Sequence, residues 1–189
     1  MPTAWTVRDI TKAMLPVLCI LTIVEVGSGF VLGRFEAQLL KYPALLALVP
    51  VTIGTAGNLG SILAARLSTA LHLGTLVFAV DNEPLLGNIL ATLALSISIF
   101  PIVGVGTWGL TTLFGDPALT TETVILISIT SGTCLAVIAV AVALLATYLA
   151  YRFELDPDDV VLPVVTNVCD VLGVVVLVGA RRSEERFSR

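Results

Sequence analysis

The chain has 189 residues, of which 57% are hydrophobic and 13% charged, and its mean hydropathy is +1.02. Soluble domains run at roughly 45–50% apolar and about 25% charged, and disorder needs low hydrophobicity, so both classes are excluded. With 14 acidic against 10 basic residues the net charge of −4 gives no basic footprint for nucleic acid, and 3 cysteines cannot build a disulfide scaffold.

A membrane-crossing helix needs about 20 mostly apolar residues. Five stretches meet that length: residues 14–33, 43–65, 85–112, 121–150 and 158–180. The expected fold is therefore all-α and integral to the membrane, a single transmembrane domain of five helices spanning residues 1–189. The expected location is the cell membrane, multi-pass, with the lipid bilayer as first partner. Long apolar runs in place of short alternating segments argue against a β-barrel.

The first span carries Glu25 near its middle, beside the small residues Gly27-Ser28-Gly29. It is long enough to cross and has no clear small-residue cleavage site, so it reads as a span and not as a signal peptide. Residues 34–41 read as a polar connection lying along the interface. The second span contains Pro50, Gly54, Gly57, Asn58 and Gly60. Glycines at this density suit a helix that packs closely on protein or lines a water-filled cavity. A polar link follows, with Arg66, His72, Asp81 and Glu83. The third span is expected to kink at Pro101. Gly115-Asp116-Pro117 predicts a turn, and Thr121 an N-cap for the fourth span with Glu122 in its first turn.

Asp156-Pro157-Asp158-Asp159 is the clearest local signal. Asp156 suits an N-cap, Pro157 the first helical position, and the two acids the positive end of the helix dipole. The last span starts there, and a charged tail, residues 181–189, follows it. Positive residues divide four against six between the two sides, mildly favouring a cytoplasmic C-terminus.

Only Glu25 and Asp170 are carboxylates deep in a span. Asp170 lies fourteen residues past Asp156, about 21 Å along a helix, and eleven before Arg181, about 16 Å. That places it near the midplane. Asp159, Pro163, Thr166, Asp170 and Gly173 alternate spacings of four and three and so share one face, with Asn167 flanking it. No Lys or Arg lies deep enough to neutralise either acid. An unpaired carboxylate at that depth needs a cation, a proton or water, which points to a cation pathway. Glu25 reads either as part of that path or proton site, or as a structural group. Asn58 reads either as an oxygen donor to an ion or its hydration shell, or as a helix–helix hydrogen bonder, with Asp170 as a candidate partner. Thr55 and Ser61 are weaker candidates of the same kind. Oxygen ligands with retained waters suit Mg²⁺, which dehydrates reluctantly. Cys19, Cys134 and Cys169 read as small buried hydrophobes. No phosphate-binding Walker loop is present, and no organic cofactor is expected.

Taken together, Arg34-Phe35-Glu36, the stretch from Pro43 to Pro50, Gly57-Asn58-x-Gly60, Arg66, and Asp156-Pro157 through Asp170-Val171-x-Gly173 resemble the membrane domain of MgtE-type magnesium transporters. The likeness is closest to the short archaeal MgtE-like permeases, which consist of that membrane domain alone. The resemblance implies a homodimeric Mg²⁺ channel with a central pore between two five-helix subunits and a cytoplasmic N-terminus. It implies that Asp170 faces the pore axis and holds a largely hydrated Mg²⁺, and that Gly57-Asn58 is the matching element of the second span. The expected metal-contacting residues are Asp170, Asn58, Thr166 and Asn167. Gly54, Gly57, Gly60 and Gly173 are the expected small pore-lining residues. Mg²⁺ is then cargo, another divalent cation is an alternative, and short members could also pair as heterodimers.

Two other functions stay open on the residues alone: a proton-coupled carrier using Glu25 and Asp170, and a non-conducting subunit of a heteromeric transporter. An intramembrane protease fits poorly. The aspartyl type needs two facing Asp and only Asp170 is deep, while His72 lies outside the spans. A non-enzymatic role is therefore expected.

Overall fold

The computed structural model describes residues 6–76, 78, 82–115, 118–153 and 155–187. Asp81, the Asp116-Pro117 turn and the side chains of Asp158 and Asp159 lie outside the described residues. The described residues form five helices and no strand: α1 (Val7–Leu40), α2 (Pro43–His72), α3 (Glu83–Phe114), α4 (Thr121–Arg152) and α5 (Pro157–Phe187). All five are long and apolar enough to cross a membrane.

The helix boundaries have local causes. Tyr42 is extended and Pro43 opens α2, using a proline where its missing N–H costs nothing. His72 ends α2. Gly74 then takes φ +68°, and its N–H donates to the Leu71 carbonyl at 2.9 Å, a turn that favours glycine. Asn82 caps α3, its side-chain oxygen accepting from the Leu85 N–H at 2.8 Å. Pro157 is the first residue of α5, where the Asp-Pro signal puts it.

Four boundaries differ from the sequence reading. Residues 66–72, expected to open the polar link after the second span, are the last turns of α2. The cap of α4 is Thr120, not Thr121, and its hydroxyl accepts from the Thr123 N–H at 3.4 Å. Residues 34–40 are not a separate interfacial segment but the last turns of α1. Arg34 and Glu36 are exposed there, so their charge does not force the helix to end. The charged tail likewise stays helical to Phe187. Arg181 pairs with Glu185 one turn on, and its guanidinium stacks 3.9 Å from the centroid of the Tyr42 ring.

Hydroxyls inside the spans turn back to their own helix: Thr22 donates to Leu18, Thr130 to Leu126 and Thr147 to Ala143, at 2.7–2.8 Å. A bilayer offers no water to these groups, so the nearby carbonyl takes them.

Packing is built on α4, whose buried face is mostly small: Ser128, Ser131, Gly132, Ala136, Ala139 and Ala143. Small residues let neighbouring backbones approach, which is how helices gain contact in lipid. One core joins Ala56, Leu59 and Leu63 of α2 with Leu135 and Ala139 of α4 and Val165 and Cys169 of α5. A second joins Leu39, Leu45, Leu48, Ile127 and Leu177. α1 stands at the edge, with only 6% of its apolar span buried. Cys169 is buried as expected, but Cys19 and Cys134 face outward. A thiol is apolar enough to meet lipid as readily as protein.

Candidate functional site

Two contacts fix the level of Asp170. The Ser28 hydroxyl of α1 donates to the Asp170 backbone carbonyl at 2.8 Å. One turn earlier on α5, Thr166 lies beside Gly57 of α2, where an added Cβ would meet the Thr166 methyl at an ordinary 3.7 Å. α2 runs antiparallel to α5 there, so Gly54 comes level with Asp170 and Asn58 with Thr166.

Gly54 and Asn58 are exposed on the outward side of α2. Open space surrounds Gly54 within the protomer. Asp170 and Thr166 are half-buried beside that side. Among the described residues the Asp170 carboxylate accepts no hydrogen bond and joins no ion pair, and Asn58 makes no hydrogen bond to it. The Thr166 hydroxyl donates to the Pro163 carbonyl at 3.0 Å, which leaves its oxygen lone pairs free. The result is an outward face of oxygen acceptors and small residues around one carboxylate. The carboxylate charge, with side-chain oxygens beside it, makes this face attract cations.

Glu25 sits three residues before Ser28 on α1 and is exposed. Ser28 bonds the Asp170 carbonyl, so Glu25 stands about one helical turn from that contact. The structure thus brings together Asp170, Thr166, Gly57, Gly54 and Asn58, with Glu25 on the α1 side.

Three expected site residues are placed elsewhere. A Cβ on Gly60 would lie 2.5 Å from a Val165 methyl and 2.9 Å from the Ala139 Cβ. A Cβ on Gly173 would lie 2.3 Å from Ile53. Both glycines are contact points inside the protomer and line no open face. Asn167 is 6% exposed and turned inward, its amide donating to the Pro163 carbonyl at 3.0 Å. Among the described residues no three His, Cys, Asp or Glu side chains gather around a common point.

Two polar residues that the sequence does not single out make contacts between helices. Ser28 read only as a small residue, yet it ties α1 to α5 at the level of Asp170. Asn88 of α3 accepts from Arg66 Nη1 at 3.0 Å. No pattern in the sequence marks Asn88, whose amide donates to the Pro84 carbonyl one turn back at 2.8 Å.

Five membrane-length helices with an acidic, outward-facing polar patch define a multi-pass membrane protein with the means to handle cations. The MgtE family, described as divalent cation transporters, matches residues 49–180, more than two thirds of the chain. The chain belongs to this family. The match runs from the Pro50 end of α2 to the end of the last span and so contains Asn58, Thr166 and Asp170. No curated protein matches the chain.

Proposed function

We propose that two copies of the chain pair through the outward faces of α2 and α5 and conduct Mg²⁺ between them. The observation that carries this reading is the Asp170 carboxylate, unpartnered beside the exposed Gly54 and Asn58. Pairing would bring two such carboxylates to one axis, matching the charge of one divalent ion. The oxygens of Asn58 and Thr166 suit contact with the water shell that Mg²⁺ keeps. The MgtE family match supports divalent cations as the cargo class.

The test is uptake of Mg²⁺ into liposomes that hold an indicator and carry the purified chain. Uptake is expected without an imposed pH gradient. Gly54→Leu supplies the control for the face. Its side chain enters open space in the protomer, so folding and melting stay as in wild type, while pairing or uptake is lost. Normal uptake in Gly54→Leu rules out α2 as a lining element.

A second reading is favoured by the place of Glu25 on α1, one turn before the Ser28 that bonds the Asp170 carbonyl. Two carboxylates on neighbouring helices can share and pass a proton. In that case uptake requires a pH gradient and Glu25→Gln abolishes the requirement or the transport. Uptake indifferent to both leaves the channel reading.

A further inference from the structure

We infer that Asn88 is a positioning residue, holding the Arg66 guanidinium at the α3 edge of the outward face and out of the cation path. This rests on the conducting role proposed for that face.

Gly54, Asn58, Ile62 and Arg66 follow one another along α2 at steps of four, and all four are exposed. Each such step turns about 40° around the helix. The row therefore winds away from α5, where Gly57 sits, toward α3. Arg66 ends it, about 12 Å along the axis from Asn58. There Arg66 meets the Asn88 side-chain oxygen.

The Asn88 amide is oriented before it meets Arg66. Its NH₂ donates to the Pro84 carbonyl at 2.8 Å, which aims the oxygen outward. The first turn of α3 that bears Pro84 is fixed in turn by the Asn82 cap. A groove lined by Ile62, Ala65 and Thr69 lies beside Arg66 and Asn88 and gives the guanidinium room to swing.

Arginine stays charged at any working pH. A freed positive group leaning over the face repels a divalent ion twice as strongly as a monovalent one at equal distance. The fixed acceptor on α3 prevents this at no cost in charge, since Asn88 itself is neutral.

The experiment is Mg²⁺ uptake into indicator-loaded liposomes by wild type, Asn88→Ala, Asn88→Asp, Arg66→Gln and the double variant Arg66→Gln/Asn88→Ala. Elution volume and melting temperature in detergent check the fold of each. Asn88→Ala is expected to slow uptake about tenfold, the effect of an added barrier of about 1.4 kcal/mol. Asn88→Asp keeps wild-type uptake, because a carboxylate also accepts from Arg66. The double variant recovers, because no charge remains to stray. Arg66→Gln alone keeps or raises uptake. Wild-type uptake in Asn88→Ala overturns the inference. So does a double variant as slow as Asn88→Ala, which would make Asn88 a packing residue, or a loss in Arg66→Gln, which would make the charge a required part of the path. Failure of the underlying reading looks different: wild type takes up no Mg²⁺, or Asp170→Asn matches wild type, and either result overturns both.

Discussion

Asp170→Asn is expected to reduce Mg²⁺ uptake by about tenfold or more while leaving the fold intact. The charge argument sets the size. A divalent ion about 5 Å from a carboxylate gains ~7 kcal/mol at an effective dielectric constant of about 20, before desolvation. Losing even a fifth of that from the transport barrier gives the tenfold effect. The structure explains why the fold survives. Ser28 of α1 bonds the Asp170 backbone carbonyl, not its carboxylate, so an isosteric amide leaves the α1–α5 contact in place. Asp170→Glu is the companion variant. It keeps the charge and lengthens the arm by one methylene, so uptake should fall less than in Asp170→Asn. Liposome uptake beside a melting curve checks both. Equal uptake in wild type and Asp170→Asn removes Asp170 from the path.

The variant also separates the two readings of the acids. A channel that uses Asp170 as a fixed charge keeps no sensitivity to a pH gradient when the charge is removed. A carrier that moves its proton through Asp170 and Glu25 loses coupling and transport together. Glu25 lies exposed on α1, which is scarcely buried within the protomer. Its acid is thus available to water or to a second copy, and only the flux measurement assigns it.

Much of this fold was legible in the residues. Apolar length alone placed five helices, because a bilayer forces each span to satisfy its backbone internally. The Asp-Pro pair placed the start of α5 at Pro157, because proline costs least there. Asp170 stood out because a midplane carboxylate without a base is expensive. The glycines were not legible in the same way. Small residues serve a pore lining and a tight helix contact equally, and composition does not separate the two. Gly54 has open space, whereas Gly60 and Gly173 sit against Val165 and Ile53. The face of α5 misled for a related reason. Asp170 and Gly173 are three residues apart, so they diverge by about 60° around the helix, enough to turn one outward and the other onto α2. Asn167 diverges by the same angle to the other side and is buried. Arg34 misled because a charge in sequence resembles an exit from the membrane, although the helix continues beneath an exposed side chain. Nothing in the order of residues pairs Arg66 with Asn88, since their contact depends on how α2 and α3 fold back on each other.

Gly132→Ala is expected to cause the largest loss of stability of any single methyl added to the chain. A Cβ there would fall 2.2–2.4 Å from three carbons of the Phe100 ring. Phe100 is fully buried, and a ring offers no flexible end to move aside. Its carbonyl also accepts from the Ser128 hydroxyl at 2.7 Å, one turn before Gly132, so α3 is pinned at the same level. A further close approach, Gly104 on the Ile125 Cα at 2.8 Å for an added Cβ, blocks sliding of the helix pair. Overpacking of this kind costs about 1–3 kcal/mol, a large share of the margin a domain has. The melting temperature in detergent should fall well below that of wild type, while Gly54→Ala, with open space around it, should not move it. Phe100→Leu alone loses ring contacts and destabilises. Combined with Gly132→Ala it frees the volume the new methyl needs, so the double variant should be more stable than the two single losses predict. That non-additivity is what residues in direct contact produce. Simple additivity would mean that Phe100 and Gly132 do not touch, which would overturn the α3–α4 packing at its tightest point.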